Sequence, residues 1–252
     1  FLRYLMERWI CPSATFRNLK PFPVTIISER LKRKLIAQDT PIPHAEVIYQ
    51  GVDLDEFPYM PADRAEDERF EIMYAGQVSR PKGVHTIINA LGELDAGTTG
   101  ACRLTIVGDG VPDYRAELDA IVRDRNLGNA VVFEGRKPHA EIPRFHHRSH
   151  ALVFSSEWDE PFGLSHIEAM AGGCPVISTT TGGSGELIRD GVNALAYDAG
   201  DAKQLAERLE RLRNDEPLRR RLAKDGRKWV EERHSLDGYA KNLERFLLAA
   251  IG

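Results

Sequence analysis

Two carboxylates, Glu160 and Glu168, stand in the stretch EWDEPFGLSHIEAMAGG (157–173). Pro161 drives Glu160 into an extended conformation, and Gly163 allows a sharp entry to a helix beginning near Leu164. The first amides of that helix, those of about residues 163 to 165, have no acceptor inside it and carry the positive end of its dipole. A carboxylate is a poor ligand for phosphate but accepts paired hydrogen bonds from neutral hydroxyls. Amides for an anion, flanked by carboxylates for hydroxyls, suit a polyhydroxylated phosphate ester: a nucleotide or a sugar phosphate. A second reading stands beside it. Ser165-His166-Ile167-Glu168 fits the S-x-x-E capping box, which would employ Glu168 in closing the helix start. Local physics leaves the two readings level.

The elements that must position these residues follow from periodicity. Short apolar runs recur at 71–75, 103–107, 130–134, 151–156, 175–179 and 194–197. Helix-length amphipathic segments lie between them, near 82–95, 113–126, 139–147, 164–172 and 184–189. Strands that are apolar throughout, each followed by a helix, imply a parallel sheet covered on both faces. The expected fold is therefore α/β, a Rossmann-like doubly wound parallel sheet of six strands. Residues 201–213, 216–232 and 236–250 read as extra C-terminal helices with no strand between them. Before the sheet, VTII (24–27) and SERLKRKLIAQ (28–38) read as one more strand and helix, with Ser28 as N-cap. The Pro-rich stretch TPIPHAEVIYQGVDLDEFPYMP (40–61) then reads as an interdomain connection. Residues 1–49 are thus expected to be the end of a preceding domain with its linker. Residues 50–235 form the main domain, and 236–252 a helix packing back toward the preceding one. The chain opens on Phe1 without an initiator Met and reads as part of something longer.

In an open parallel sheet, ligands sit outside the carboxyl ends of the strands, so the other loops there need reading. In GQVSRPKG (76–83), Gly76 permits a tight exit and Lys82 stands beside a helix start where an anion is favoured. On that loop alone, a solvated lysine in a polar turn is the better reading. GDG (108–110) lacks the third glycine of a dinucleotide fingerprint, because position 113 is Asp113; this weighs against hydride transfer. GRKPHAEI (135–142) and TTGGSGE (180–186), with Gly182, Gly183 and Gly185, are uninformative alone. His146 and His150 share a helix spacing but no carboxylate ligand accompanies them, so they read as surface or packing residues rather than metal ligands. Trp9, Trp158 and Trp229 read as packing residues.

The bulk properties narrow the class. The 252 residues are 42% hydrophobic and 29% charged, with formal net charge -4. That is a folded globular composition with no electrostatic argument for nucleic acid. The charge is uneven: residues 1–41 hold eight Lys/Arg against three Asp/Glu. The basic amphipathic segment 1–36 could rest peripherally on an anionic inner membrane face, although such a face more often packs on a neighbouring domain. Cys11, Cys102 and Cys174 show no disulfide framework or zinc spacing, which fits a reducing cytoplasm. No apolar run reaches the ~18 residues of a membrane span.

Five stretches, in order, resemble the group 1 (family 4) glycosyltransferases, retaining enzymes built of two Rossmann-like domains in the GT-B arrangement. IYQGVDLDEF (48–57) resembles their interdomain signature, AGQVSRPKG (75–83) their G-R-L-x-x-x-K-G, and LTIVGDG (104–110) the strand and turn that follow. EPFGLSHIEAMAGGCPVIST (160–179) is similar to their E-x₇-E motif, and TGGSGELIRDGVNALAY (181–197) to the segment after it. The resemblance implies roles. Glu160 would contact donor-sugar hydroxyls, and Phe162, Gly163 and Leu164 would present amides to the sugar and distal phosphate. Glu168 would hold the ribose, and Lys82 would neutralise the diphosphate leaving group. Arg136 would sit at the base, mainly through its backbone. Gly76 and Gln77 would line the phosphates, with Gln77 standing where the family has arginine and Arg80 a candidate substitute. No metal or other cofactor is implied; the donor is a nucleotide-diphosphate sugar. The acceptor, a glycan or lipid-linked saccharide, would be held by an N-terminal domain of which only the end is present. A module that binds nucleotide sugar without transferring it stays open, as does a GT-B phosphorylase or epimerase.

Overall fold

The computed structural model describes residues 23–40, 42, 44–62, 69–94 and 96–251. Trp9, Cys11 and most of the basic N-terminal segment lie outside the described residues.

A six-stranded, wholly parallel sheet organises the chain. Its strands are β3 (Phe70–Ala75), β4 (Cys102–Val107), β5 (Val131–Gly135), β6 (Ala151–Phe154), β7 (Val176–Thr179) and β8 (Leu195–Tyr197). They lie in the order β5-β4-β3-β6-β7-β8. The chain runs outward from β3 to β5, returns to β6 and then runs outward the other way. A crevice opens at such a reversal, outside the carboxyl ends of β3 and β6.

The apolar runs follow from burial on both faces. Along β3, Phe70, Ile72 and Tyr74 enter one core, against α2 (Val84–Glu93), α4 (Pro112–Asp124) and α7 (Ala202–Asn214). Met73 points the other way, into a second core with Leu152, Val176, Ile167 and Met170. That second layer is built by α6 (Leu164–Gly172) and α8 (Glu216–Arg233). Two short helices, α3 (Ala96–Gly100) and α5 (Ile142–Arg148), complete the connections before β4 and β6.

Ahead of the main sheet, β1 (Thr25–Ile26) and β2 (Glu46–Val47) pair in parallel, with α1 (Glu29–Ala37) between them. Ser28 is the N-cap of α1 as expected, accepting from the Leu31 amide at 3.2 Å. After α8, Val52 and Ser235 pair as an isolated bridge, and α9 (Leu236–Ile251) begins there. Arg245 of α9 forms an ion pair with Glu46, so this helix runs back along the first described elements. No helix among the described residues is long and apolar enough to cross a membrane.

The structure corrects three boundaries. The helix expected over 82–95 starts at Val84, after a 3₁₀ turn at Arg80–Lys82. Gly83, at φ +66°, separates the two. The segment 139–147 splits into a 3₁₀ turn at His139–Glu141 and α5. The helix expected over 184–189 is only a 3₁₀ turn at Gly182–Glu186, because glycine-rich sequence costs about 1 kcal/mol per Gly in an α-helix.

Candidate functional site

Two adjoining cavities, of about 420 and 380 Å³, occupy the crevice. Gly76, Gln77, Lys82, Glu160, Gly163, Leu164 and Glu168 line the larger. Arg136, Lys137 and Asp109 line the smaller, which shares Gly76 and Gln77 with its neighbour. Eight of the nine residues singled out from sequence therefore meet in one crevice. Phe162 does not: its ring is buried against Tyr49 and His234, with centroids 6.1 and 5.8 Å away.

Glu160 is the most connected of them. Its side chain is only 11% exposed and is ion-paired with Lys82. The Trp158 indole N–H donates to Glu160 Oε2 at 3.0 Å, and the Ser156 hydroxyl reaches the same oxygen at 3.3 Å. Trp158 is thus more than a packing residue. Lys82 is held from behind, because the buried Ser155 hydroxyl donates to its carbonyl at 2.7 Å and the Glu157 amide to that of Pro81 at 2.8 Å. The Gly182–Glu186 turn backs Glu160. Gly182 has φ +62°, and a Cβ there would lie 2.3 Å from the Glu160 carbonyl oxygen. This glycine-rich loop was uninformative from sequence alone. Arg80, the candidate substitute for the missing family arginine, pairs with Glu117 at 2.5 Å and lines neither cavity. The basic side chains lining the crevice are Lys82, Arg136 and Lys137, the last also paired with Glu134 at 2.8 Å.

The start of α6 bears on the capping reading of Glu168. Its N-cap is Gly163 at φ +108°, and no side chain caps it. Ser165 lies inside the helix, so the S-x-x-E capping box does not form. His166 closes the turn instead. Its Nδ1–H donates to the Gly163 carbonyl at 2.9 Å, while Nε2 meets the Ser178 hydroxyl of β7 at 2.7 Å. A Cβ on Gly163 would stand 2.5 Å from His166 Nδ1. Glu168 is left facing the crevice, with one oxygen 3.2 Å from His139 Nε2. Leu164 and Ser165 line the larger cavity, and their amides, in the first turn of α6, have no acceptor within the helix.

His146 and His150 are buried packing residues, as expected, and no metal-binding cluster exists among the described residues. Burial pushes the imidazoles of His146, His166 and His234 down to about 3, 4 and 4, against 6.5 for a free side chain. Because these folded values lie below the unfolded one, protons bind the unfolded chain preferentially. Stability is complete above about pH 6.5 and falls as the pH drops toward 4. His166 alone accounts for a loss of about 2 kcal/mol at pH 5. Urea unfolding at pH 7 and pH 5 should show this loss, and His166→Asn should shrink the difference between the two pH values. A midpoint independent of pH over that range would contradict the neutral burial.

The fold and crevice define a class: a doubly wound α/β domain with an open helix start, a lysine and two carboxylates at its topological switch point. The sequence model of the glycosyl transferases group 1 matches residues 57–229, and the chain belongs to that family. It is 29% identical over 242 residues to YtcC of Bacillus subtilis, named as a glycosyltransferase, covering 87% of this chain and 58% of that protein. It is 27% identical over 237 residues to the GDP-mannose-dependent alpha-(1-6)-phosphatidylinositol monomannoside mannosyltransferase of Mycobacterium tuberculosis, covering 89% of this chain and 61% of that one. The crystal structure of Anabaena Alr3699/HepE in complex with UDP and glucose shares the fold. It gives a TM-score of 0.82 at 23% identity, over 92% of this chain and 65% of that one. The chain therefore spans roughly three-fifths of these proteins.

Proposed function

We propose that this chain is the donor-binding half of a retaining group 1 glycosyltransferase using a nucleotide-diphosphate sugar. The observation that carries the reading is the placement of Lys82 and Glu160 on one side of the open start of α6, with Glu168 on its second turn facing the same cleft. The helix amides and Lys82 take the diphosphate, Glu160 the sugar hydroxyls and Glu168 the ribose. Arg136 and Lys137, rather than Arg80, supply the positive charge that Gln77 does not. Electrostatic stabilisation of the departing diphosphate by these fixed groups is the chain's main contribution to transfer, and the site calls for no metal. The donor is a hexose nucleotide. The acceptor is a glycan or lipid-linked saccharide, held by sequence outside this chain. Since the chain spans 58% and 61% of two relatives, it is expected to bind donor without completing transfer by itself.

Calorimetric titration with UDP-glucose, UDP-N-acetylglucosamine and GDP-mannose, and with UDP and GDP alone, tests this. One nucleotide class should bind, with equal affinity in the presence and absence of EDTA. Glu160→Ala should reduce the preference for sugar nucleotide over free nucleotide about tenfold, as expected for a lost charge-assisted hydrogen bond. Affinity for the free nucleotide should hold or rise, because Lys82 is released from its partner. An unchanged preference removes Glu160 from the sugar site.

A further inference from the structure

We infer that α1 is a positioning element for the turn that carries Glu160, with Ser28 as its central residue. The inference rests on the sugar-nucleotide reading above. Ser28 is fully buried. Its oxygen accepts the Leu31 amide, closing the start of α1, while its hydroxyl donates to the Pro161 carbonyl at 2.7 Å. Those partners lie on opposite sides of a long stretch of sequence, so one hydroxyl ties two remote segments together.

The same helix end is held in two further ways. The amides of Glu29 and Arg30 donate to the Glu186 carboxylate at 3.1 and 2.6 Å, which suits a carboxylate at a helix N-terminus. That carboxylate also accepts the Tyr49 hydroxyl at 2.8 Å. On the surface, Arg30 Nε and Lys34 Nζ reach the two oxygens of Asp159 at 3.2 and 2.8 Å. The Gly182–Glu186 turn, which Glu186 links to α1, completes the frame. The Gly183 amide donates to the Glu160 carbonyl at 2.6 Å, and a Cβ on Gly183 would lie 2.1 Å from the Pro161 carbonyl oxygen.

Each residue of the turn is thus fixed at a different group: Asp159 by its side chain, and Glu160 and Pro161 by their carbonyls. The Glu160 carboxylate is delivered to the opposite side, where Lys82, Trp158 and Ser156 meet it. None of the α1 groups lines the larger cavity, so α1 acts through Glu160 rather than on ligand. Lys82 and Glu168 are carried by other elements, the turn after β3 and α6. Release of α1 therefore affects the sugar end of the site and spares the nucleotide end. The basic character of α1 finds its use here, in Asp159, through Arg30 and Lys34.

The test compares Ser28→Ala with a surface variant, Arg30→Ala/Lys34→Ala, which leaves the core untouched, and with Glu160→Ala. Affinities for UDP-glucose and UDP, and for GDP-mannose and GDP, are measured by calorimetry, with amide hydrogen exchange of residues 157–163 read without ligand. Both α1 variants should raise exchange in that segment and lower the sugar-nucleotide preference about three- to tenfold, with free-nucleotide affinity within twofold of the parent. Unchanged exchange in both variants overturns the inference. So does an equal loss for both ligands, which marks a merely structural role. If Glu160→Ala alters the preference and neither α1 variant does, the α1 inference fails while the sugar site stands. If Glu160→Ala leaves the preference unchanged, the sugar-site reading itself fails.

Discussion

Replacing Lys82 by alanine is expected to weaken binding of a nucleoside diphosphate about 10- to 100-fold and to leave a nucleoside monophosphate nearly unaffected. Hydrogen bonds to charged groups are worth about 1.5–3 kcal/mol, and Lys82 is the basic side chain lining the larger cavity. The lysine stands in the 3₁₀ turn that leads into α2, its carbonyl fixed by Ser155. Its side chain is only 23% exposed, so water screens its charge less than at an open surface. Where transfer can be assayed, the loss should reach about 10²–10³-fold, because charge on the leaving diphosphate is greatest in the transition state. The fold should tolerate the change. Glu160 loses its cation but keeps the Trp158 indole and the Ser156 hydroxyl as donors. Titration of UDP or GDP against the matching monophosphate, with a thermal midpoint for each variant, separates the effects. Equal losses for both nucleotides would place Lys82 away from the distal phosphate.

In the absence of ligand, Lys82 and Glu160 are each other's partner. Under the proposed function, a bound donor would exchange that ion pair for two sets of contacts, with phosphate at Lys82 and sugar hydroxyls at Glu160. A free diphosphate satisfies Lys82 and leaves Glu160 without its cation, whereas a sugar nucleotide satisfies both. This gives a physical reason for preference of the intact donor over the product nucleotide.

The sheet was legible because β6 and β7 are buried throughout and β3 and β4 along most of their length, so their apolar runs needed no partner to be recognised. The glycine-rich turns were harder. Gly83 delays the expected helix over 82–95 to Val84, and Gly182, Gly183 and Gly185 prevent one over 184–189. Site residues could be named from residue types and from the ordered resemblance, but their contacts could not. Lys82 and Glu160 are 78 positions apart, and no local pattern joins them. Trp158 carried a signal that went unused, since residues two apart on an extended segment share a face and Pro161 keeps Glu160 extended. The part played by His166 depends on Ser178 of β7, which only strand order brings near. Ser28 was readable as an N-cap, while its bond to Pro161 needed the folded chain.

Glu168→Ala should erase the preference for ribonucleotide over its 2′,3′-dideoxy analogue and weaken ribonucleotide binding about 10- to 100-fold. A carboxylate can accept both hydroxyls of a vicinal diol, and each such charge-assisted bond is worth about 1.5–3 kcal/mol. The side chain of Glu168 is 15% exposed and lines the cleft from the second turn of α6. His139 approaches one of its oxygens at 3.2 Å. That histidine is 60% exposed, so it can yield its place to a ribose hydroxyl at small cost. The same substitution tests how the helix start is built. Had Ser165 and Glu168 formed a capping box, removing the glutamate would cost about 1 kcal/mol of stability. With Gly163 as N-cap and His166 closing the turn, the thermal midpoint should stay where it was. A lower midpoint with intact ribose preference would restore the capping role and remove Glu168 from the nucleotide site. Lost preference at constant stability leaves the helix start to His166 and the ribose to Glu168.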